Sequence, residues 1–337
     1  MTAAPAEVHI VPLPVFASRF DADVRTMPTN VCVLGWSGGR WYATPPRVYS
    51  HPMWERAFST MLFLEERVRP KLGLDAFWFL LCLYDGWRER VAWTDRYRWV
   101  EPGELDDLKE WTGAPGDLPR LSGRKPWIAC YASHVGDPST FLFPEAYWLT
   151  RRFHASLIDE VVRASPAWEA RRARAVYAGA DQGSAANLFV PDASGLHPRR
   201  LLQRVVREAG LPVDLTLGGK VSRETQLGYR WILDVDGFVR TWDAWAWKMA
   251  SGATVLSPAS PWETLFTREF RAWEHFVPVA NDFSDLGERL DWCRDHDDAC
   301  RAIGQAARAR ALEVYAPARV ADELAGRLRE RLAHSSG

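Results

Sequence analysis

Apolar and polar residues change their spacing several times along this chain, and each change marks an element. Apolar runs at Val31–Trp36, Phe77–Tyr84 and Trp127–Tyr131 are too short for helices, and the last two have strand character. Between the first two, Met53 to Val68 places Trp54, Phe58 and Leu62 at helical spacing and then meets Pro70. That pattern predicts an amphipathic helix closed by proline. A second helical stretch runs from Tyr147 to Arg163 and stops before Pro166.

Beyond Pro166 the alternation becomes regular. Ala175–Tyr177 reads as a strand turned by Gly179, Leu201–Ala209 as a helix, and Val213–Leu217 as a strand closed by Gly218 and Gly219. Tyr229–Val235 is predicted as a strand, Trp242–Ala250 as a helix ended by Gly252, and Thr254–Leu256 as a strand. Ser260, Pro261, Trp262 and Glu263 have the form of a capping box with proline at the first helical position, so a helix is expected there. Phe276–Val279 reads as a strand, followed by helices over Ser284–His296 and Asp298–Tyr315. Strands alternating with helices every ~20–25 residues predict α/β architecture with a doubly wound parallel sheet.

Length changes this picture by doubling it, because 337 residues exceed the usual ~100–200 of one domain. Two α/β domains facing one another account for the length. With 42 Lys+Arg against 43 Asp+Glu, the chain has no basic excess for a phosphate backbone, which argues against a nucleic-acid partner. The N-terminal sequence MTAAPAEVHIVPLPVF does not read as a signal peptide. The longest apolar run, Ala76–Tyr84, falls far short of the ~20 residues that span a bilayer. A soluble, cytoplasmic protein without a transmembrane segment is therefore expected. The five cysteines are scattered and form no CxxC pair, so neither structural zinc nor a disulfide framework is expected.

Several residues could carry chemistry. Asp85 ends the apolar strand AFWFLLCLYD, where open α/β sheets bind ligands, and a carboxylate there can serve as general base. An Asp-Gly pair is also a common turn cap. Asp234 and Asp236 form a DxD pair at the end of YRWILDVDG, and such a pair can hold Mg²⁺ or Mn²⁺ on a diphosphate. The alternative is one structural carboxylate and one exposed turn residue. Gly237 leaves room for close approach of a ligand to backbone. The helix beginning near Trp242 offers free N–H groups to an anion, and Arg240 could add bidentate contacts to a diphosphate. His275 heads the HFVPV strand and His134 follows the Trp127–Tyr131 strand; a lone histidine in either place is more often structural. Eighteen tryptophans suggest sugar or base stacking, but most must fill the core. No GxSxG, Walker or GxGxxG sequence occurs.

The segments YRWILDVDGFVRTWDAWAWKMASGATVL, PWETLF and AWEHFVPVANDFSDLGERLDWCRDHDDACRAIGQAARA together resemble glycosyltransferase family 90. This is the family of the protein O-glucosyltransferases and fungal capsule xylosyltransferases. The matching positions are Tyr229, Asp236, Gly237, Ser251, Gly252, Trp262, Phe266, His275, Pro278, Asp282, Ser284, Asp285 and Asp297. Upstream, AVYAGADQG is similar to the family's aromatic-x-Gly element at Gly179, and PWIACYASHVGDPSTFLFPEAYW is similar to its Pro-led strand segment.

The resemblance implies a GT-B-like fold of two Rossmann-like domains around a cleft. Residues 1–165 would form the acceptor-side domain and 166–337 the nucleotide-sugar domain, with the last helix free to pack back on the first. It further implies inverting, metal-independent transfer of glucose or xylose from a UDP-sugar to a hydroxyl of a glycan or lipid-linked saccharide, with no cofactor. Asp85 would be the base. Gly179, Asp236, Gly237, Arg240, Trp242, Ser251, Gly252 and His275 would hold the donor, and His134 and Trp87 the acceptor. A bacterial surface glycan made in the cytoplasm or at the inner membrane surface suits a chain of this kind. One departure stands out. Many members carry, two positions before a lysine at the helix start, an arginine that contacts the diphosphate. Here the segment reads TWDAWAWK, with Asp243 or Ala244 near that place. Arg240 or Arg230 could substitute. Two alternatives stay open: a metal-dependent transferase using Asp234 and Asp236, and a degenerate member that binds nucleotide or glycan without turnover.

Overall fold

A computed structural model describes residues 8–10, 31–44, 51–83, 109–110, 128–137, 140–184, 195–240 and 243–334. Contacts divide the chain into two compact units, Met1–Thr150 with Pro317–Gly337, and Arg151–Ala316. No helix among the described residues is long and apolar enough to cross a membrane. All five cysteines are buried and free.

The first unit contains β1 (Val8–Ile10), β2 (Val31–Ser37), β3 (Arg40–Ala43), β4 (Ala76–Cys82), β5 (Lys109–Glu110), β6 (Ile128–Cys130), β7 (Ala132–His134) and β8 (Thr140–Leu142). Seven of them form a sheet in the order β5-β1-β3-β2-β4-β6-β8. The sheet is parallel except at β2, which runs antiparallel to both β3 and β4. Two glycines cause this. Gly38 (φ 56°) and Gly39 (φ 81°) close a two-residue hairpin between β2 and β3 that needs left-handed backbone at both central positions.

Helix α1 (His51–Phe63) continues as a wider π turn over Leu64–Val68 before α2 (Arg69–Leu72). Pro70 explains the change of pitch, because its ring would clash with the carbonyl four residues back, that of Glu66. The N–H of Arg69 accordingly reaches Leu64 O, one residue beyond the α-helical partner. Helix α3 (Ala146–Thr150) packs on α1, with Phe63 and Trp148 edge-to-face at 5.2 Å.

The second unit has β9 (Arg172–Gly179), β10 (Val213–Leu217), β11 (Tyr229–Leu233), β12 (Thr254–Pro258), β13 (Trp262–Thr264) and β14 (Val277–Val279). Five of these form a wholly parallel sheet in the order β10-β9-β11-β12-β14, a doubly wound arrangement. The helices are α4 (Ala155–Ala164), α5 (Pro198–Glu208), α6 (Arg223–Leu227), α7 (Ala244–Ala250), α8 (Leu286–Asp295) and α9 (Asp297–Val314). Trp231, Ile232 and Leu233 of β11 are at most 3% exposed, as a central strand covered on both faces requires. Each such side chain contributes roughly 1.5–3 kcal/mol on burial.

Two predicted helices differ in the structure. The stretch from Tyr147 to Arg163 is broken into α3 and α4 by Arg152, Phe153 and His154, all with positive φ (48°, 68° and 55°). The break lies beside the division between the two units at Thr150 and Arg151. The capping box at Ser260 starts no helix; β13 and a 3₁₀ turn at Thr267–Glu269 follow it instead. Ser260 Oγ accepts the N–H of Trp262, only two residues on, at 3.0 Å, and donates to Asp236. Its hydroxyl therefore closes a turn against the β11 loop and is lost to helix capping.

Candidate functional site

In a doubly wound sheet, ligands settle at the carboxyl ends of the two strands between which the chain reverses its direction of winding. Here those strands are β9 and β11. Their carboxyl ends carry Gly179 to Ser184 on one side and Asp234 to Arg240 on the other. The two loops touch where Ser184 N–H donates to Gly237 O at 3.3 Å.

Helix α5 begins beside them, with Pro198 at its first position where no N–H is needed. Its first turn carries two arginines of different use. Arg200 holds Asp181 in a bidentate pair at 2.8 and 2.7 Å, and His197 Nε2 lies 3.2 Å from the same carboxylate. Arg199 reaches inward instead. Its Nη1 donates to Ala180 O at 3.0 Å and its Nε to Val235 O at 3.3 Å, so one guanidinium joins the two loops.

Beneath them lies a buried charge network. Lys248 Nζ donates to Asp234 Oδ1 at 2.7 Å and to Leu233 O at 3.1 Å. Arg240 Nε donates to Asp236 Oδ1 at 2.6 Å, its Nη2 to Ser257 Oγ at 2.8 Å, and its guanidinium lies 4.8 Å from the centre of the Trp245 ring. Arg240 Nη2 is also 3.6 Å from Asp234 Oδ2. Burial drives the Asp234 carboxyl upward, but Lys248 and Arg240 outweigh it and hold the group below the usual carboxylate range. Burial likewise works against the Arg240 cation, which Asp236 and Asp234 more than restore.

Tyr177 is 1% exposed, and its hydroxyl has no hydrogen-bond partner among the described residues. Burial raises its pKa, while Arg199 lowers it and the two carboxylates add to the rise. The hydroxyl would sit 2.6 Å from a Cβ on Gly179, so no larger residue fits at that strand end without displacing it. Gly237 is under similar pressure, since a Cβ there would meet Arg199 Nη2 at 2.9 Å.

The structure thus brings Gly179, Asp236, Gly237 and Arg240 together, and sets Asp234 beside them. Both DxD carboxylates are buried and paired; neither is an exposed turn residue. Among the described residues, no three His, Cys, Asp or Glu side chains gather as a metal-binding group.

Ser251, Gly252 and His275 are not brought to this place. Ser251 and Gly252 precede β12, at the amino ends of the strands. Ser251 is fully buried, its Oγ bonded to Lys248 O and the Ala253 N–H, and Gly252 closes α7 with φ 71°. His275 precedes β14; its Nδ1 accepts the Arg271 N–H at 3.0 Å and its ring packs edge-to-face on Phe270. Burial lowers the His275 pKa, with a partial counterweight from Glu274. His134 is half-buried at the end of β7 in the first unit. Asp85, Trp87 and Trp242 lie outside the described residues.

The helix after β11 has only seven residues, and the position before it is Asp243, whose carboxylate pairs with Arg151 at 2.8 Å. Sequence reasoning missed Arg199, Tyr177 and the pairing of Lys248 with Asp234. The signal for Arg199 was there: a His-Pro helix start one loop after the first strand aims that turn's side chains at the strand ends.

Residues 152–322 match the sequence family described as Glycosyl transferase family 90, half of the chain. The chain belongs to glycosyltransferase family 90. Among relatives, it is 29% identical over 120 residues to uncharacterized protein 179R of Invertebrate iridescent virus 6, covering 33% of this chain and 10% of that protein. It is 29% identical over 92 residues to protein O-glucosyltransferase 3 of Rattus norvegicus, covering 27% of this chain and 18% of the relative. The chain therefore spans under a fifth of the length of these relatives. Among solved structures, sucrose-phosphate synthase from Thermosynechococcus elongatus aligns over 53% of this chain and 49% of its own, with TM-score 0.32 and 16% identity. Anabaena HepE in complex with UDP-glucose aligns over 39% of this chain and 36% of its own, with TM-score 0.29 and 12% identity. Within the family match fall the whole β11 loop, α7 and the Arg199 turn.

Proposed function

We propose that this family 90 protein transfers a sugar, glucose or xylose, from a UDP-sugar to a hydroxyl of a glycan or lipid-linked saccharide with inversion. The observation that carries this reading is the charged, glycine-lined junction at the carboxyl ends of β9 and β11, inside the family match. A donor bound there has its diphosphate among cations. Asp85, at the end of the β4 sequence run, is the proposed base: it takes the proton of the acceptor hydroxyl as that oxygen attacks the anomeric carbon from the face opposite UDP. The UDP leaving group departs with the bonding electron pair and needs positive charge near its phosphates.

Transfer without a metal is part of the proposal. Asp234 and Asp236 already meet Lys248 and Arg240, so a divalent cation would have to displace buried ammonium and guanidinium partners to reach them. The place of action is proposed as the cytoplasm or the inner membrane surface, where lipid-linked saccharides are assembled.

A thermal-shift series with UDP, GDP, CMP and UDP-sugars, with and without EDTA, tests the donor, because a ligand of the native state raises the melting temperature by mass action. UDP compounds should stabilise the protein regardless of EDTA. Stabilisation that disappears with EDTA would replace this reading with the metal-dependent one. Asp85→Asn should then lower transfer by about 10²-fold or more while UDP still binds; wild-type transfer rates in that variant would remove Asp85 as base.

A further inference from the structure

One tryptophan of the second unit is used differently from its neighbours. Trp168, Trp231, Trp245, Trp247 and Trp262 are at most 7% exposed and fill the interior, whereas Trp273 is 44% exposed. Its φ is 65°, a left-handed value that a bulky side chain takes only at a cost in strain. Core packing accounts for neither property. The residue lies in the turn that leads into β14, at the amino end of the sheet and so at the opposite end from the β9–β11 junction.

The turn holds the strain in place. Trp273 N–H donates to Phe276 O at 2.7 Å, and the N–H groups of Glu274 and His275 reach back to Arg271 O at 3.4 and 2.9 Å. The ring is fixed as well as the backbone. It meets Trp292 of α8 edge-to-face with centroids 5.0 Å apart, and the Arg289 guanidinium lies 5.2 Å from its centre. Trp292 is itself stacked on His296 at 4.9 Å. An indole already ordered in this way loses little further rotamer freedom when something binds to it.

The surroundings restrict what that can be. Two indoles offer at most roughly 500 Å² even if wholly covered, short of the ~800 Å² per partner of a stable protein interface. The charges beside them are paired, Arg271 with Glu274 at 3.1 Å and Arg289 with Asp285 at 2.9 Å, so neither sign of ligand is selected. What fits is an uncharged ligand with an apolar C–H face for the electron-rich indole and hydroxyls at its edge for the carboxylates and guanidinium groups. A pyranose ring has that chemistry.

We propose that Trp273, braced by Trp292, is a saccharide-stacking site, a second place at which the protein holds the glycan it modifies. That the saccharide is the acceptor rests on the transferase reading above; the stacking site itself does not. A long glycan held there stays at high effective concentration near the protein between encounters with the donor site.

The test is titration of the full chain with cellohexaose, maltohexaose and xylohexaose, followed by NMR of the tryptophan indole N–H groups. The resonance absent from Trp273→Gly identifies the ring, and glycine suits the left-handed backbone, so this variant should fold. At least one hexasaccharide should shift the Trp273 resonance, and its affinity should fall about 10-fold or more in Trp273→Gly and much less in Trp273→Phe, which keeps an aromatic face. UDP affinity should be the same in all three proteins. If no hexasaccharide moves the Trp273 resonance, or if affinity survives in Trp273→Gly, the site is overturned. A self-association of the wild type that Trp273→Gly abolishes overturns it too, in favour of a second copy of the chain as occupant. Saccharide binding at Trp273 in a protein that ignores UDP compounds would leave the stacking site standing and remove the donor reading, while UDP binding without saccharide binding would do the reverse.

Discussion

At the amino ends of β9 and β12, two arginines are set against the end of a helix. Arg171 Nη2 donates to Ser251 O at 2.8 Å, and Arg308 donates to Ser251 O and, at 3.0 Å, to Ala250 O. At the carboxyl ends of β9 and β11, Arg240 and Arg199 are set among carboxylates and loop carbonyls. The same residue type does two jobs on one sheet. At the amino edge the partners are the last carbonyls of α7, which carry only a partial negative charge and have no N–H of their own helix to accept. Among the described residues no carboxylate pairs with either cation there, and burial, with the neighbouring Arg308, pushes the Arg171 pKa down to about 10. At the carboxyl edge, among the described residues, full charges meet full charges: Asp236 faces Arg240, Asp234 faces Lys248 and Asp181 faces Arg200. The amino edge is closed by arginines on helix carbonyls; the carboxyl edge is the one where the donor site is proposed.

The strongest way to break this contrast is to remove the centre of the carboxyl-edge network. Asp234→Asn leaves Lys248 buried beside a neutral group and should cost about 3–5 kcal/mol, the scale for breaking a buried ion pair by removing one partner. Urea unfolding measures it. Asp234→Leu combined with Lys248→Met should recover much of the loss, since the isolated charge is then gone. A cost below about 1 kcal/mol for the single change would mean that the network is not what holds this edge.

Arg308→Ala should cost roughly 1.5–3 kcal/mol, the range for a hydrogen bond to a charged group. Uridine nucleotide affinity should stay at its wild-type value, because the proposed donor site lies at the other end of the strands. A drop in UDP affinity without a matching change in the unfolding midpoint would dissolve the distinction between the edges.

Gly179→Ala probes how tightly the carboxyl edge is packed. The new methyl would meet the Tyr177 hydroxyl at 2.6 Å, and forced overpacking of this kind costs about 1–3 kcal/mol. Tyr177→Phe removes the oxygen that clashes, and that oxygen has no partner to lose. The double variant should therefore be more stable than Gly179→Ala alone. Strictly additive effects would show that something other than the hydroxyl makes this position small.

These edges were unequally legible in the sequence. Apolar patterning found β10 at its observed limits and β9, β11, β12 and β14 within a few residues: the edge strand β10 alternates Val213, Leu215 and Leu217 with Asp214 and Thr216, while the inner strands carry the buried runs Ala175–Tyr177, Trp231–Leu233 and Thr254–Leu256. The DxD and Gly237 signals led to the loop at the carboxyl end of β11, where Asp234 and Asp236 are buried and paired. What periodicity cannot carry is which charges meet, since Lys248 and Asp234 are 14 residues apart and are joined only by the turn of α7 back along β11. Ser251, a donor contact by family resemblance, lies at the end of α7, where its hydroxyl is taken up by Lys248 O and the Ala253 N–H. The capping box failed for a similar reason, with Asp236 competing for the Ser260 hydroxyl. At β2, the local pair Gly38-Gly39 overrode the expected parallel order.

Helix α7 joins the two edges and offers the gentlest comparison, one of pH. Its carboxyl-terminal end is held by arginines, which stay charged at any ordinary pH. Its other end begins after Asp243, which lies with Arg151 and Arg223 around His154. His154 is fully buried with neither ring nitrogen partnered among the described residues, and it packs near Tyr315. Burial lowers its pKa from 6.5 to about 4, while Asp243 pulls the other way and Arg151 and Arg223 add to the fall. The unfolded chain therefore takes up the proton first as acid is added. Above pH 6.5 the imidazole is neutral in both states and contributes no pH dependence; between 6.5 and about 4, lowering the pH favours unfolding. The slope approaches 1.4 kcal/mol per pH unit, about that much lost by pH 5.5. Carboxylates titrate toward the lower end of this window, so the quantity to measure is the difference between variants. His154→Asn keeps a residue that tolerates left-handed backbone and removes the titration. Its melting temperature should fall less steeply from pH 6.5 to 5 than that of the wild type, whereas Arg308→Ala should keep the wild-type slope at a lower midpoint. If Arg308→Ala flattens the slope and His154→Asn does not, the acid response belongs to the amino edge, and the assignment of fixed charge to one end and titratable charge to the other is reversed.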